Sequence, residues 1–164
     1  MQSSIIEDAM LKLSANFNLK ELTASTTAAR MGLKNDPNQE QLVALTAVAN
    51  RILQPVRDKF GIVTVNSGLR GEELNKAVGG SKKSQHCKGE AVDFECYSVS
   101  NFELAKWIQS NLEFDQLILE FYKKGDPHSG WVHCSYNRLG NNRGIQLTAI
   151  KTGRGVKYEN GLIR

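Results

Sequence analysis

Ser84-Gln85-His86-Cys87-Lys88-Gly89-Glu90-Ala91-Val92-Asp93 places one imidazole and one carboxylate seven residues apart around a glycine, and it runs on into a strand-like segment. A second imidazole, His133, stands in Trp131-Val132-His133-Cys134-Ser135, another strand-like run. Two histidines and one carboxylate form a set that holds Zn²⁺ with one coordination position open, where water can be activated for attack on a carbonyl. The residues read as the metal site of a zinc hydrolase, with His86, Asp93 and His133 as ligands. Gly89 permits a sharp turn beside the ion and Ala91 leaves room next to it, which sets this arrangement apart from histidines scattered over a surface or satisfied in a core.

Peptide hydrolysis also needs a group that takes a proton from the attacking water and passes it to the leaving amine. Glu120 is the first candidate. In the alternating run Gln116 to Tyr122 it falls on the face opposite Leu117, Leu119 and Phe121, and a hairpin into the His133 strand would carry it to the metal. The competing reading is an ordinary solvent-facing strand glutamate. His128, five residues before His133 in a glycine-containing loop, is the second candidate, as proton shuttle or donor to an oxyanion, and Asp126 the third. Ser67 and Ser84 are candidate hydroxyls for orienting the ligands. Trp131 and Tyr136 belong either to a cleft lining or to the core. No Gly-x-Ser-x-Gly elbow is present. Cys87, Cys96 and Cys134 are an odd set that reads as free thiols, and Cys134 points away from its neighbour His133 in an extended strand.

The elements that must position these groups follow from patterning. Asp36-Pro37 predicts a helix start, with Leu42, Val43, Leu45, Val48, Ile52 and Leu53 along one face, a kink or break at Pro55 and an end at Gly61. Ile62 to Asn66 alternates as a strand leading into the Ser67-Gly68-Leu69-Arg70 turn. Glu72 to Val78 reads as a short helix and Gly79 to Ser84 as a loop. Ala91 to Cys96 reads as a strand with Ala91, Asp93 and Glu95 on one face. Ser100 and Glu103 form a capping box for a helix from about Asn101 to Ser110. Trp131 to Ser135 and Ile145 to Ile150 are further strands, and Asn160-Gly161 is a turn signal. Helices early, strands around the metal motifs and several antiparallel hairpins predict an α+β fold, an antiparallel sheet carrying the zinc site with helices packed on one side.

The 164 residues suit one domain, with residues 1–15 and their apolar Ile5, Ile6, Met10, Leu11 and Leu13 as a peripheral helix or arm. With 40% hydrophobic and 23% charged residues, neither disorder nor membrane insertion is expected. The net charge of +4 comes without a basic cluster or interleaved aromatics, so nucleic acid is not an expected partner. Met1 to Asp8 lacks the basic-then-apolar pattern of a secretory signal, which predicts synthesis in a cytoplasm. The expected state is a monomer.

Ser84-x-His86-x-x-Gly89-x-Ala91-x-Asp93 followed by Trp131-Val132-His133 resembles the zinc peptidases of the D-alanyl-D-alanine carboxypeptidase type, peptidase family M15, especially a branch found in bacteriophages and small secreted wall peptidases. The likeness extends through Asn18 to Leu22, Leu53 to Arg57, Ser67 to Arg70 and Leu74 to Ser81, so it covers roughly residues 16–136. It implies the same fold class, like that of DD-peptidases and hedgehog domains, Zn²⁺ as cofactor and a peptidoglycan stem peptide as substrate. It further implies a host-cytoplasmic endolysin that acts at the cell wall. Arg70 matches an arginine that in the family faces the substrate; here it would steady an oxyanion or hold a carboxylate, or else tie its turn to Glu72 or Glu73. Many family members carry an acidic residue three positions before the last ligand, where this chain has Gly130. That departure leaves room for a second reading, a non-catalytic wall-binding domain that keeps the metal for folding.

Overall fold

A computed structural model describes residues 11–164, so the expected apolar stretch through Met10 lies outside the described residues. The helical half opens with two short capped helices, α1 (Leu19–Thr23) behind Asn18 and α2 (Thr26–Met31) behind Ser25. Helix α3 (Gln39–Val48) starts later than Asp36-Pro37 predicts. Its cap is Asn38, whose Oδ1 accepts from the Gln41 N–H at 2.8 Å while the Asn38 N–H donates to Gln41 Oε1 at 2.9 Å. This reciprocal pair satisfies two groups at once and fixes the start there.

The expected break at Pro55 takes the form of a π turn at Ala49–Leu53, which passes directly into α4 (Gln54–Phe60). A proline has no N–H to give to the carbonyl four residues back, and the wider turn just before it accommodates that gap. Leu45, Val48, Ala49, Ile52, Leu53 and Val56 are fully buried, an i, i+3, i+4 stripe, whereas Val43 turns outward.

Strands β1 (Val63–Ser67), β2 (Ala91–Cys96), β3 (Gln116–Glu120), β4 (Trp131–Ser135), β5 (Ile145–Thr152) and β6 (Gly155–Asn160) form one sheet in the order β1-β2-β4-β3-β5-β6. Helix α5 (Glu72–Ala77) lies in the β1 to β2 connection. Helix α6 (Asn101–Asn111) joins β2 to β3, and of the expected Ser100–Glu103 box the Ser100 half is formed, its Oγ accepting from the Glu103 N–H at 3.0 Å. All pairings are antiparallel except β3 with β5. The sheet is thus mixed rather than a set of hairpins, because β5 crosses to the far side of β3. Its hairpin with β6 turns at Thr152 to Gly155, and Asn160-Gly161, expected to make a tight turn, instead marks the end of β6.

Alternation divides the sheet into two chemically different faces. Val92, Phe94, Cys96, Leu117, Leu119, Val132 and Cys134 are all fully buried and pack against α3, the π turn, α4 and α6 in one core. Each such large side chain contributes about 1.5–3 kcal/mol by leaving water. The other face carries Asp93, Ile118, Glu120, Trp131 and His133, and the core behind it holds those residues in register. Among the described residues no helix is long and apolar enough to cross a membrane.

Candidate metal centre and cleft

Asp93 on β2 and His133 on β4 are direct cross-strand partners, so the pleat alone puts both side chains on the exposed face, side by side. His86 arrives from a 3₁₀ turn, Gln85–Lys88, that precedes β2. Ser84 Oγ accepts from the His86 N–H at 3.3 Å and begins the turn, and Gly89, at φ 72°, closes it. A β-carbon on Gly89 would lie 2.7 Å from the Gln41 carbonyl oxygen, and Gln41 Nε2 donates to the Cys87 carbonyl at 2.9 Å. The turn is therefore clamped onto α3, and only glycine fits the clamp.

His86 Nε2, His133 Nδ1 and Asp93 Oδ1 converge. His133 Nδ1 lies 2.9 Å and His86 Nε2 3.2 Å from Asp93 Oδ1, and the two nitrogens are 3.3 Å apart. His86 donates its Nδ1–H to the Gly68 carbonyl at 2.7 Å, which fixes the tautomer and leaves a lone pair on Nε2 aimed at the cluster. Gly68 in turn packs so tightly on the Leu22 backbone that a β-carbon has no room.

Burial raises the Asp93 carboxyl, but hydrogen bonds and charge from His133 and His86 outweigh it and hold the group well below the usual carboxylate range. Burial holds the His133 ring below its ordinary value against the pull of Asp93. An ionised carboxylate and two imidazole nitrogens within 3.3 Å of one another, two of the three residues buried, suit a shared cation. The donor set fits zinc, which His86 Nε2, Asp93 Oδ1 and His133 Nδ1 would hold.

These groups sit in a cleft of about 650 Å³, which Glu120, Arg70 and Trp131 also line. Glu120 stands opposite Trp131 in the β3–β4 register, one strand position pair beyond Ile118 and His133 on the same face. Its carboxyl is pushed up to about 7 by burial and then by the negative charge of Asp93, with His86 and Arg70 opposing. The Arg70 N–H donates to the His86 carbonyl at 3.0 Å and its Nη2 to Ser84 Oγ at 3.3 Å, while its Nε and the Trp131 Nε1 are buried donors without a protein partner. Glu72 pairs with Lys76 rather than with Arg70.

His128 is placed elsewhere. It is exposed on the β3–β4 loop and stacks on Tyr97, with ring centroids 5.1 Å apart, outside the cleft lining. Asp126 is exposed on the same loop. Cys87 stands outside the converging group, and Cys134 is buried on the core face. Tyr136 packs against the core and Trp131 on the cleft. Sequence reading missed Lys83, Gln85, Lys88, Arg143 and Tyr158, which complete the cleft walls. Only Lys83 and Lys88 carried a signal, as cations flanking His86.

The family model for Peptidase M15 matches residues 15–135. The chain belongs to the peptidase M15 family. The match spans α1 to β4 and with them every element that carries His86, Asp93, His133, Glu120 and Arg70. None of the curated proteins matches the chain. M15 enzymes are metallopeptidases, and the buried His86, Asp93 and His133 group is where this M15 chain can hold a metal. Strands β5 and β6, with Arg143 and Tyr158, lie beyond the matched M15 segment.

Proposed function

We propose that the protein is a zinc-dependent peptidase that hydrolyses stem peptides or cross-links of peptidoglycan, as an endolysin. The observation that carries this reading is the convergence of His86 Nε2, Asp93 Oδ1 and His133 Nδ1 in a cleft that also receives Glu120 and Arg70. When bound, zinc supplies the Lewis acidity that activates water and polarises the scissile carbonyl.

In this proposal Glu120 accepts a proton from the attacking water and returns it to the nitrogen of the leaving amine. Burial raises the affinity of this carboxyl for a proton, which suits it to take one and return it. Arg70, anchored through Ser84 and the His86 carbonyl, stabilises negative charge as it grows on the carbonyl oxygen.

Gly130 favours a non-catalytic wall-binding domain only if the site lacks an acid, and Glu120 on the adjacent strand lines the cleft in its place. The test is digestion of purified peptidoglycan by zinc-loaded protein with mass analysis of the new termini. New amino and carboxyl ends at one type of peptide bond are expected; intact wall at every zinc concentration refutes the enzyme and leaves the binding domain.

A further inference from the structure

We infer that Arg143 is the centre of a carboxylate-binding subsite at one end of the cleft, which makes this M15 chain select peptides with a free carboxylate roughly 10 Å from the bond to be cut. The inference deepens the peptidase reading and rests on it for the reaction.

The starting point is the distribution of charge. Arg70 after β1, Lys83 and Lys88 before β2 and Arg143 before β5 all line the cleft, against Asp93 and Glu120 as its acids. Asp93 is already engaged by both histidines. Strand directions place the ends that carry these four cations together: the end of β1 and the starts of β2, β3 and β5 share one edge of the site. Glu120 closes β3 at the opposite edge, five residues from Asp115 or about 17 Å along the strand. In the sheet order, Arg70 flanks the β2–β4 pair from the β1 side and Arg143 from the β3–β5 side.

Arg143 differs from a loose surface cation because it is built in. Asp115, just 4% exposed, accepts from Arg143 Nε at 3.0 Å, from Nη2 at 2.7 Å and from its backbone N–H at 3.1 Å. The same carboxylate accepts from Gln85 Nε2 at 2.9 Å, beside the ligand His86. The guanidinium is thus held in one orientation by its inner edge, and with 58% of the side chain exposed its outer edge is available to a ligand. A fixed planar donor loses little freedom when it binds a carboxylate. Asp115 lies three strand residues from Ile118, the cross-strand neighbour of His133, which sets the spacing of roughly 10 Å between metal and subsite.

The test uses zinc-loaded Glu120→Gln protein, which binds without cutting, and two probes: a stem tetrapeptide with every carboxylate free, and the same peptide with every carboxylate amidated, its C-terminus included. Calorimetry is expected to show the free-acid peptide bound about tenfold more tightly. Adding Arg143→Gln should abolish the difference, and adding Arg143→Lys should keep part of it. Equal affinity for the two probes, failure of both to bind, or a preference untouched by Arg143→Gln overturns the subsite. The probe comparison needs no change at Arg143, so it stands even if Arg143→Gln unfolds. A carboxylate preference in a protein whose zinc-loaded wild type leaves purified peptidoglycan intact would sink the peptidase reading and leave the subsite; release of new termini from peptidoglycan with no preference between the probes would sink only the subsite.

Discussion

Gly130 meets the Glu120 carbonyl backbone to backbone, so closely that no β-carbon fits between them. With φ at 65°, the position is also one that side-chain-bearing residues rarely adopt. An acidic side chain at this position is therefore sterically incompatible with this β3–β4 approach, and the cleft takes its carboxylate from Glu120 across the register. Gly130→Glu should lower stability by about 2–4 kcal/mol, read as a fall in the urea midpoint, without raising turnover. A stable and more active variant would mean that the acid belongs at position 130.

Glu120→Gln keeps the size and removes the proton acceptor. Turnover of peptidoglycan should fall by about 10²–10⁴ while zinc content and thermal midpoint stay at wild-type levels. A wild-type rate in this variant would take the proton transfer away from Glu120.

Metal removal gives a separate readout. Zinc that binds the folded cluster and not the separated ligands should, at 100 times its Kd, stabilise the protein by about 2.7 kcal/mol over the metal-free form in a thermal melt. In Asp93→Ala the zinc-induced shift should vanish, because both histidines lose the carboxylate that draws them together. Persistence of the full shift would place the ion elsewhere.

Asp115 supplies a pH dependence away from the metal. The side-chain hydrogen bonds of Arg143, outweighing burial and helped by Gln85, hold its carboxyl at about 2 against the ordinary 3.8. The folded state thus binds the proton more weakly than the unfolded chain, so the contribution is complete above about pH 4 and fades as pH falls through 2. Since Arg143 is mostly exposed, Asp115→Asn should cost about 1–2 kcal/mol at pH 7, less than the shift alone implies. The gap between variant and wild type should close near pH 2 in urea titrations.

Much of this architecture was legible in the chain. The Ser100 cap, the alternation of β2 and the extended run of β4 each rest on short-range rules, and each stands where the residues put it. Local signals failed where a competing local interaction was stronger, as when the Asn38 to Gln41 box displaced Asp36 as the helix cap. His128 stands apart from the cleft for a different reason. Five residues of separation from His133 fix how far it can travel but not the direction, and the positive φ of Phe121 and Gly130 at the two ends of the loop go with a course that ends on Tyr97.

The sequence by itself determined the ligand types, the strands that carry two of them and the glycines that let the third approach, because those properties depend on residues within a few positions of one another. Tertiary structure alone decided that Glu120 shares the cleft, that Gly130 admits no side chain, and that Asp115 fastens Gln85 and Arg143 from segments 30 and 28 residues away. Such contacts depend on strand order and on the parallel crossing of β5, which are set by how the whole core packs and leave no trace in local spacing.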